Sequence, residues 1–308
     1  MSVNPYHTAD LAWARNFVQG LHQNSVLSLV LGSSDIVADR ILRMMYRNWQ
    51  HADSSALPLP DFNHYLVSAY QHRGRTPVNA ERYGLPRDAI LMFAYTEAGF
   101  DESDIVWSCD DDIPEAVRWR RWVIMDIRAP DPSLIVPFSD PCLPWYKGGF
   151  RREAMLEILD ALPIWFVQTN GTVGVPLARD MGTLLPPQRL YSRSPTRVVA
   201  VKIAWPGYKY RKRPVSLWTW NPYKQDPTTI PIARLAHVVA NCVRNFMIEA
   251  TKTGPVPGSS PGHWRISIGS RAPGMITDHD VILLGVAYVS EGAVVPLLQV
   301  RPGFSFAR

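Results

Sequence analysis

Between Thr229 and Lys252 the apolar residues Leu235, Val238, Val239, Cys242, Val243, Phe246 and Met247 recur three and four positions apart. That spacing gathers them on one side of an α-helix, in a stripe too wide to leave in water. Thr229 offers a capping hydroxyl, Pro231 suits a first helical turn, and Gly254-Pro255 ends the pattern. Beyond it, Val281 to Val289 and Val294 to Val300 read as apolar strands, with Trp264 to Gly269 as a further one. One long amphipathic helix beside strands of this kind requires a helix-on-sheet core.

The first third has the helical period instead. Asp10 to Gln23, Ser34 to Gln50 and Asp61 to His72 carry helical apolar spacing, and Gly32-Ser33-Ser34-Asp35 supplies caps for the second. A shorter helix is expected to hold Ile90, Leu91, Phe93 and Ala94. The period then changes. Trp122 to Ile127 reads as a strand, and Phe150 to Leu162 as one helix after a proline-rich connection. Ile164 to Thr169 and Thr172 to Leu177 flank Asn170-Gly171, a pair that tolerates the positive φ angles of a tight hairpin turn. Thr196 to Trp205 and Pro214 to Trp220 read as two more strands, joined by a basic loop. The expectation is an α+β fold. A helical N-terminal region (1–118) precedes a mixed, mainly antiparallel sheet packed on one long helix (119–308), with the two either separate or sharing a core.

With 46% hydrophobic and 19% charged residues, the chain is a folded globular protein. No apolar run approaches the roughly 20 residues that span a bilayer, so no membrane association is expected. The start, MSVNPYHTADLAWARN, lacks a basic segment followed by an apolar one, which argues against a secretory signal. Cys109, Cys142 and Cys242 are isolated from one another. An odd set without a signal reads as reduced thiols of an intracellular protein, cytoplasmic or nuclear.

Charge is segregated along the chain. Met181 to Gln225 holds nine Lys and Arg residues with no Asp or Glu, while Glu97 to Val117 holds eight carboxylates with no Lys or Arg. Seven aromatics interleave with the cations, among them Trp205, Tyr208, Tyr210, Trp218 and Trp220. Cations with flat rings suit phosphates and bases, and they equally suit an acidic protein surface. If instead the three tryptophans pack in a core, what remains is an ordinary basic hairpin loop. Trp218 and Trp220 share one face of a strand, which fits either arrangement. The acidic stretch offers a third possibility, that it complements the basic one within the molecule or across a homo-oligomer.

Other constellations point to simpler roles. Asp110-Asp111-Asp112, with Asp126 beyond, lacks the spacers and glycine of a metal loop, and Asp112-Ile113-Pro114-Glu115 suits a helix start. Asp278-His279-Asp280 reads as a polar turn rather than an acid/base pair, and His64 and His72 lie too far apart along one helix to chelate alone. Walker-type, Cys-x-x-Cys and His-Glu-x-x-His patterns are all missing from the sequence. No catalytic residue, metal ligand or cofactor is assigned, and the reading leans away from an enzyme, although a site assembled from distant residues would leave no pattern. Ser194, in Ser192-Arg193-Ser194-Pro195, is a candidate regulatory phosphorylation site within the basic stretch.

Val198 to Tyr208, VVAVKIAWPGY, is followed by Ile230-Pro231-Ile232-Ala233-Arg234-Leu235-Ala236 and then Trp264-Arg265-Ile266. This order resembles a group of uncharacterised proteins numerous in mushroom-forming (basidiomycete) fungi, over Val198 to Val300. The resemblance implies an intracellular fungal protein and assigns no catalytic residue. The expectation from the residues is a macromolecular interaction protein. Its basic, aromatic-rich loop (Trp205, Tyr208, Lys209, Tyr210, Arg211, Lys212 and Arg213) would meet an acidic protein surface, or, as the alternative, RNA or DNA.

Overall fold

The computed structural model describes residues 10–51, 61–71, 85–94, 105–109, 119–138, 162–178, 184, 197–221, 226–269, 273–290 and 292–306. Its N-terminal part is helical, with α1 (Asp10–Leu21), α2 (Val26–Leu31), α3 (Ser34–His51) and α4 (Phe62–Tyr70). On α3 the residues Val37, Ala38, Ile41, Leu42 and Met45 are buried, as the helical spacing requires. The sequence reading missed α2. Its run VLSLVL has no polar face, so no amphipathic period marks it. Ser25 caps it by accepting the Ser28 N–H at 3.2 Å, and Gly32 ends it with φ 79°.

Three strands follow: β1 (Ala89–Phe93), β2 (Ile105–Cys109) and β3 (Trp119–Ile127), in the antiparallel order β1-β3-β2. The expected helix at Ile90 to Ala94 is therefore a strand. Ile90, Leu91 and Met92 are all buried, and a short run buried on both faces carries no period by which to tell helix from strand. The strand β2 lies inside the acidic stretch, where the sequence pattern predicts none. The helix expected at Phe150 to Leu162 lies almost wholly outside the described residues.

The larger sheet contains β4 (Ile164–Trp165), β5 (Val175–Pro176), β6 (Val198–Ile203) and β7 (Arg211–Ser216). After β7 come β8 (Trp218–Asn221) and β9 (Asp226–Thr229), which pair only with each other, then α5 (Ile232–Thr253), β10 (Val281–Ser290) and β11 (Ala293–Val300). The order is β4-β10-β11-β6-β7, with β5 also pairing β10. Every pairing is antiparallel except β6 with β11. The Asn170-Gly171 turn forms as expected: Gln168 N–H donates to Thr172 O at 2.8 Å, and Gly171 takes φ 78°. Trp264 to Gly269 does not form a strand, contributing only an isolated Ile266–Ile276 bridge.

The long helix α5 packs on β6, β7 and β10, burying Leu235, Val239, Val243, Phe246 and Met247. Its start differs from the expectation. Pro231 occupies the N-cap without a side-chain bond, because Thr229 is taken up by β9 opposite Trp218. On the far side of the sheet α2 meets β11, and Arg40 of α3 donates to Tyr288 O at 3.0 Å. Covered on both faces, β10 and β11 are apolar along almost their whole length. The buried residues of the helical part and of the sheet form one continuous cluster. Among the described residues no helix is long and apolar enough to cross a membrane.

Candidate functional site

The basic residues of the sequence reading divide between a turn and a strand. Val199, Val201 and Ile203 alternate along β6 toward α5, and the same period carries Trp205 into the core at 2% exposure. Its Nε1–H donates to Trp264 O at 2.8 Å, and the two rings meet edge to face at 6.2 Å. Trp205 is therefore a core residue and offers no ring to a ligand. The chain then turns over Pro206-Gly207. Gly207 has φ 81°, and a side chain there would strike Pro261. Val256 N–H and the Ser259 hydroxyl both donate to Gly207 O at 2.9 Å. Tyr208, half-buried, accepts the Ile266 N–H on its hydroxyl at 2.9 Å. The Trp-Pro-Gly-Tyr segment is thus a corner fastened to residues 256–266, and Trp205 and Tyr208 are its anchors.

Lys209 is exposed and Tyr210 half-buried in the turn. Arg211, Lys212 and Arg213, expected in a loop, begin β7, the outermost strand of the sheet. Arg211 and Arg213 lie on the α5 side, where Glu249 Oε2 takes both, at 3.3 and 3.1 Å. Lys212 projects from the other side, opposite Lys202 of β6. No described residue forms an ion pair with Lys202, Lys209 or Lys212. Pro214 within β7 is compatible only with an edge position, where no sheet neighbour needs its missing N–H.

The remaining tryptophans behave differently from Trp205. Trp218 is half-buried with the Arg197 guanidinium 5.6 Å from its ring centre, whereas Trp220, two residues along the same face, is 63% exposed. Ser194 and the acidic run Asp110 to Asp112 lie outside the described residues. Asp278-His279-Asp280 is the polar turn expected. Asp280 accepts Thr277 N–H at 3.0 Å, the Thr277 hydroxyl at 2.6 Å and Arg301 Nε–H at 2.7 Å. Burial raises its carboxyl pKa, but the Thr277 and Arg301 bonds outweigh that and leave it below the ordinary value.

A second polar constellation escaped the sequence reading. His22, just past α1, sits at 0% exposure with Nδ1 2.9 Å from Asp126 Oδ2 and Nε2 3.1 Å from the Tyr70 hydroxyl. Asp126 Oδ1 accepts the N–H groups of Leu27 at 3.2 Å and Ile127 at 2.8 Å. Burial, with the Asp126 charge adding to it, pushes the Tyr70 phenol up, so the hydroxyl stays protonated. The order carboxylate, imidazole, hydroxyl is that of a proton relay. Here, however, His22 and Asp126 are satisfied inside the core and Tyr70 is half-buried at its margin, and the array joins α1, α2, α4 and β3. It fastens the helical part to the first sheet.

Compared with protein families, with curated proteins and with solved structures, the chain shows no match.

Proposed function

We propose that this is an interaction protein that docks an acidic macromolecular surface on the basic edge of its larger sheet. The observation that carries the reading is the outer strand β7, where Arg211, Lys212 and Arg213 follow Lys209 and Glu249 is the one described carboxylate paired with any of them. Among the described residues that one half-buried acid leaves the strand with surplus positive charge, which gives a directed field. Rim charges of this kind set encounter rate and partner choice more than raw affinity.

An acidic protein fits this surface better than nucleic acid does. Single-strand binding uses several rings as a stacking platform, and Trp205 and Tyr208 are committed to the corner. The test is binding of poly-L-glutamate across a sodium chloride series. Replacing Lys209, Arg211, Lys212 and Arg213 together with Ala should weaken binding and flatten its salt dependence with little change in melting temperature. Equal retention by wild type and variant at low and high salt would refute the proposal. Tighter binding of oligothymidylate than of poly-L-glutamate at matched charge would favour nucleic acid instead.

A further inference from the structure

The β6–β7 ladder can be phased from a bond on its other side. Ala200 N–H donates to Gly292 O at 2.8 Å, toward β11 and away from β7. In a strand the N–H and C=O of one residue leave on the same side, so Ala200 and its opposite number Pro214 form a non-hydrogen-bonded pair. Counting two along, Lys202 and Lys212 form another. This is the closer kind of pair, with Cα atoms about 4.5 Å apart. Like charges directly opposite one another in a sheet repel. Both side chains leave the face turned away from α5, and no described carboxylate lies between them.

The same phasing sends the N–H and C=O of Lys212 to the open edge. An added strand needs a continuous row of such groups, and the next outward position is Pro214, which has no N–H. A β7 from a second copy, running antiparallel, would also set cation against cation. The edge therefore resists strand addition, while its outer face holds two ammonium groups that no described carboxylate pairs, over small neighbours, Ala200, Pro214 and Ser216. On the α5 face, by contrast, Glu249 already engages Arg211 and Arg213.

We infer that Lys202 and Lys212 are the primary anion contact of the docking surface. They straddle side-chain carboxylates that an acidic protein presents from a helix or loop rather than from an added strand. This rests on the docking function proposed above, and the experiment separates the two. In the full chain, Lys202→Gln with Lys212→Gln is compared with Arg211→Gln with Arg213→Gln, using poly-L-glutamate as the probe. The lysine pair should lower affinity about tenfold, the sum of two modest exposed charge contacts, and should leave the melting temperature unchanged or higher. The arginine pair should change affinity far less. Loss of binding in the arginine pair alone would overturn the lysine assignment and leave docking intact. Unchanged binding in both pairs and in the fourfold alanine variant would overturn docking itself. Oligothymidylate held more tightly than poly-L-glutamate, with the same sensitivity to the lysine pair, would replace the acidic protein with nucleic acid.

Discussion

The imidazole of His22 and the carboxylate of Asp126 lie 104 positions apart in the chain and 2.9 Å apart in the fold, both at 0% exposure. Asp126 also holds the first turn of α2 through Leu27 N–H, and His22 reaches Tyr70 at the end of α4. One carboxylate thus fixes the relative positions of three helices and a strand.

Replacing Asp126 with Ala strands three buried donors: His22 Nδ1–H, Leu27 N–H and Ile127 N–H. Each buried donor left unsatisfied costs roughly 1 to 3 kcal/mol, so the variant should lose at least about 3 kcal/mol in urea unfolding. A loss below about 1 kcal/mol would mean that water enters and replaces the carboxylate.

Phe246 is 2% exposed in the middle of the α5 stripe. Phe246→Ala should cost about 3 to 5 kcal/mol, the usual result of emptying a buried aromatic site. An unchanged melting temperature would show that α5 is peripheral.

Trp205 and Trp220 should separate stability from binding. Trp205→Phe removes the bond to Trp264 O and leaves a gap, so it should lower the melting temperature and leave poly-L-glutamate binding alone. Trp220→Ala, at 63% exposure, should stay within about 0.5 kcal/mol of wild type in stability. The reverse pattern would make Trp205 the ligand contact.

Asp280 predicts a pH effect with a definite sign. Its carboxyl pKa is lowered on folding from 3.8, so its contribution is fully present above that value. It is lost as the pH falls through the still lower folded value. Asp280→Asn should therefore be less stable than wild type at neutral pH, with the two converging in acid. A constant difference down to strongly acid pH would show that the Arg301 and Thr277 bonds do not depend on the charge.

Cys242 on α5 is half-buried, and burial raises its thiol pKa, with Arg213 opposing more weakly. It should react with a thiol-disulfide reagent more slowly than the thiol of a free cysteine peptide at the same pH. Replacing Arg213 with Ala should slow it further.

The long helices were legible because apolar residues recur at helical spacing in both: α5 buries one face and leaves the other wetter, and α3 interleaves its apolar residues with Arg40 and Arg43, polar though buried. The strand β1 and the helix α2 were not, since burial on all sides erases that period. Trp205 was readable in principle: Val199, Val201, Ile203 and Trp205 alternate, and the last belongs with the first three. Arg211 to Arg213 read as a loop, with the strand beginning only at Pro214, because an edge strand buries only one side, and here only Val215 and Leu217 supply the apolar signal. Nothing local announces that His22, Tyr70 and Asp126 converge. The nearest hint is a lone aspartate inside the apolar run Trp122 to Ile127, where a charge must find partners if the strand is buried.

The two strands at the centre of the larger sheet, β10 and β11, leave the ribosome after every other element described. β4 and β5 have β10 as their strand partner, and β6 needs β11 on its inner side. Contacts so distant along the chain close slowly. Until residues 281–300 emerge, β6 and β7 can meet α5, but β6 lacks its inner neighbour and α5 lacks the β10 part of the sheet on which it packs. That interval exposes the chain to aggregation and to chaperone capture, and it makes the final strand pair the step that commits the sheet.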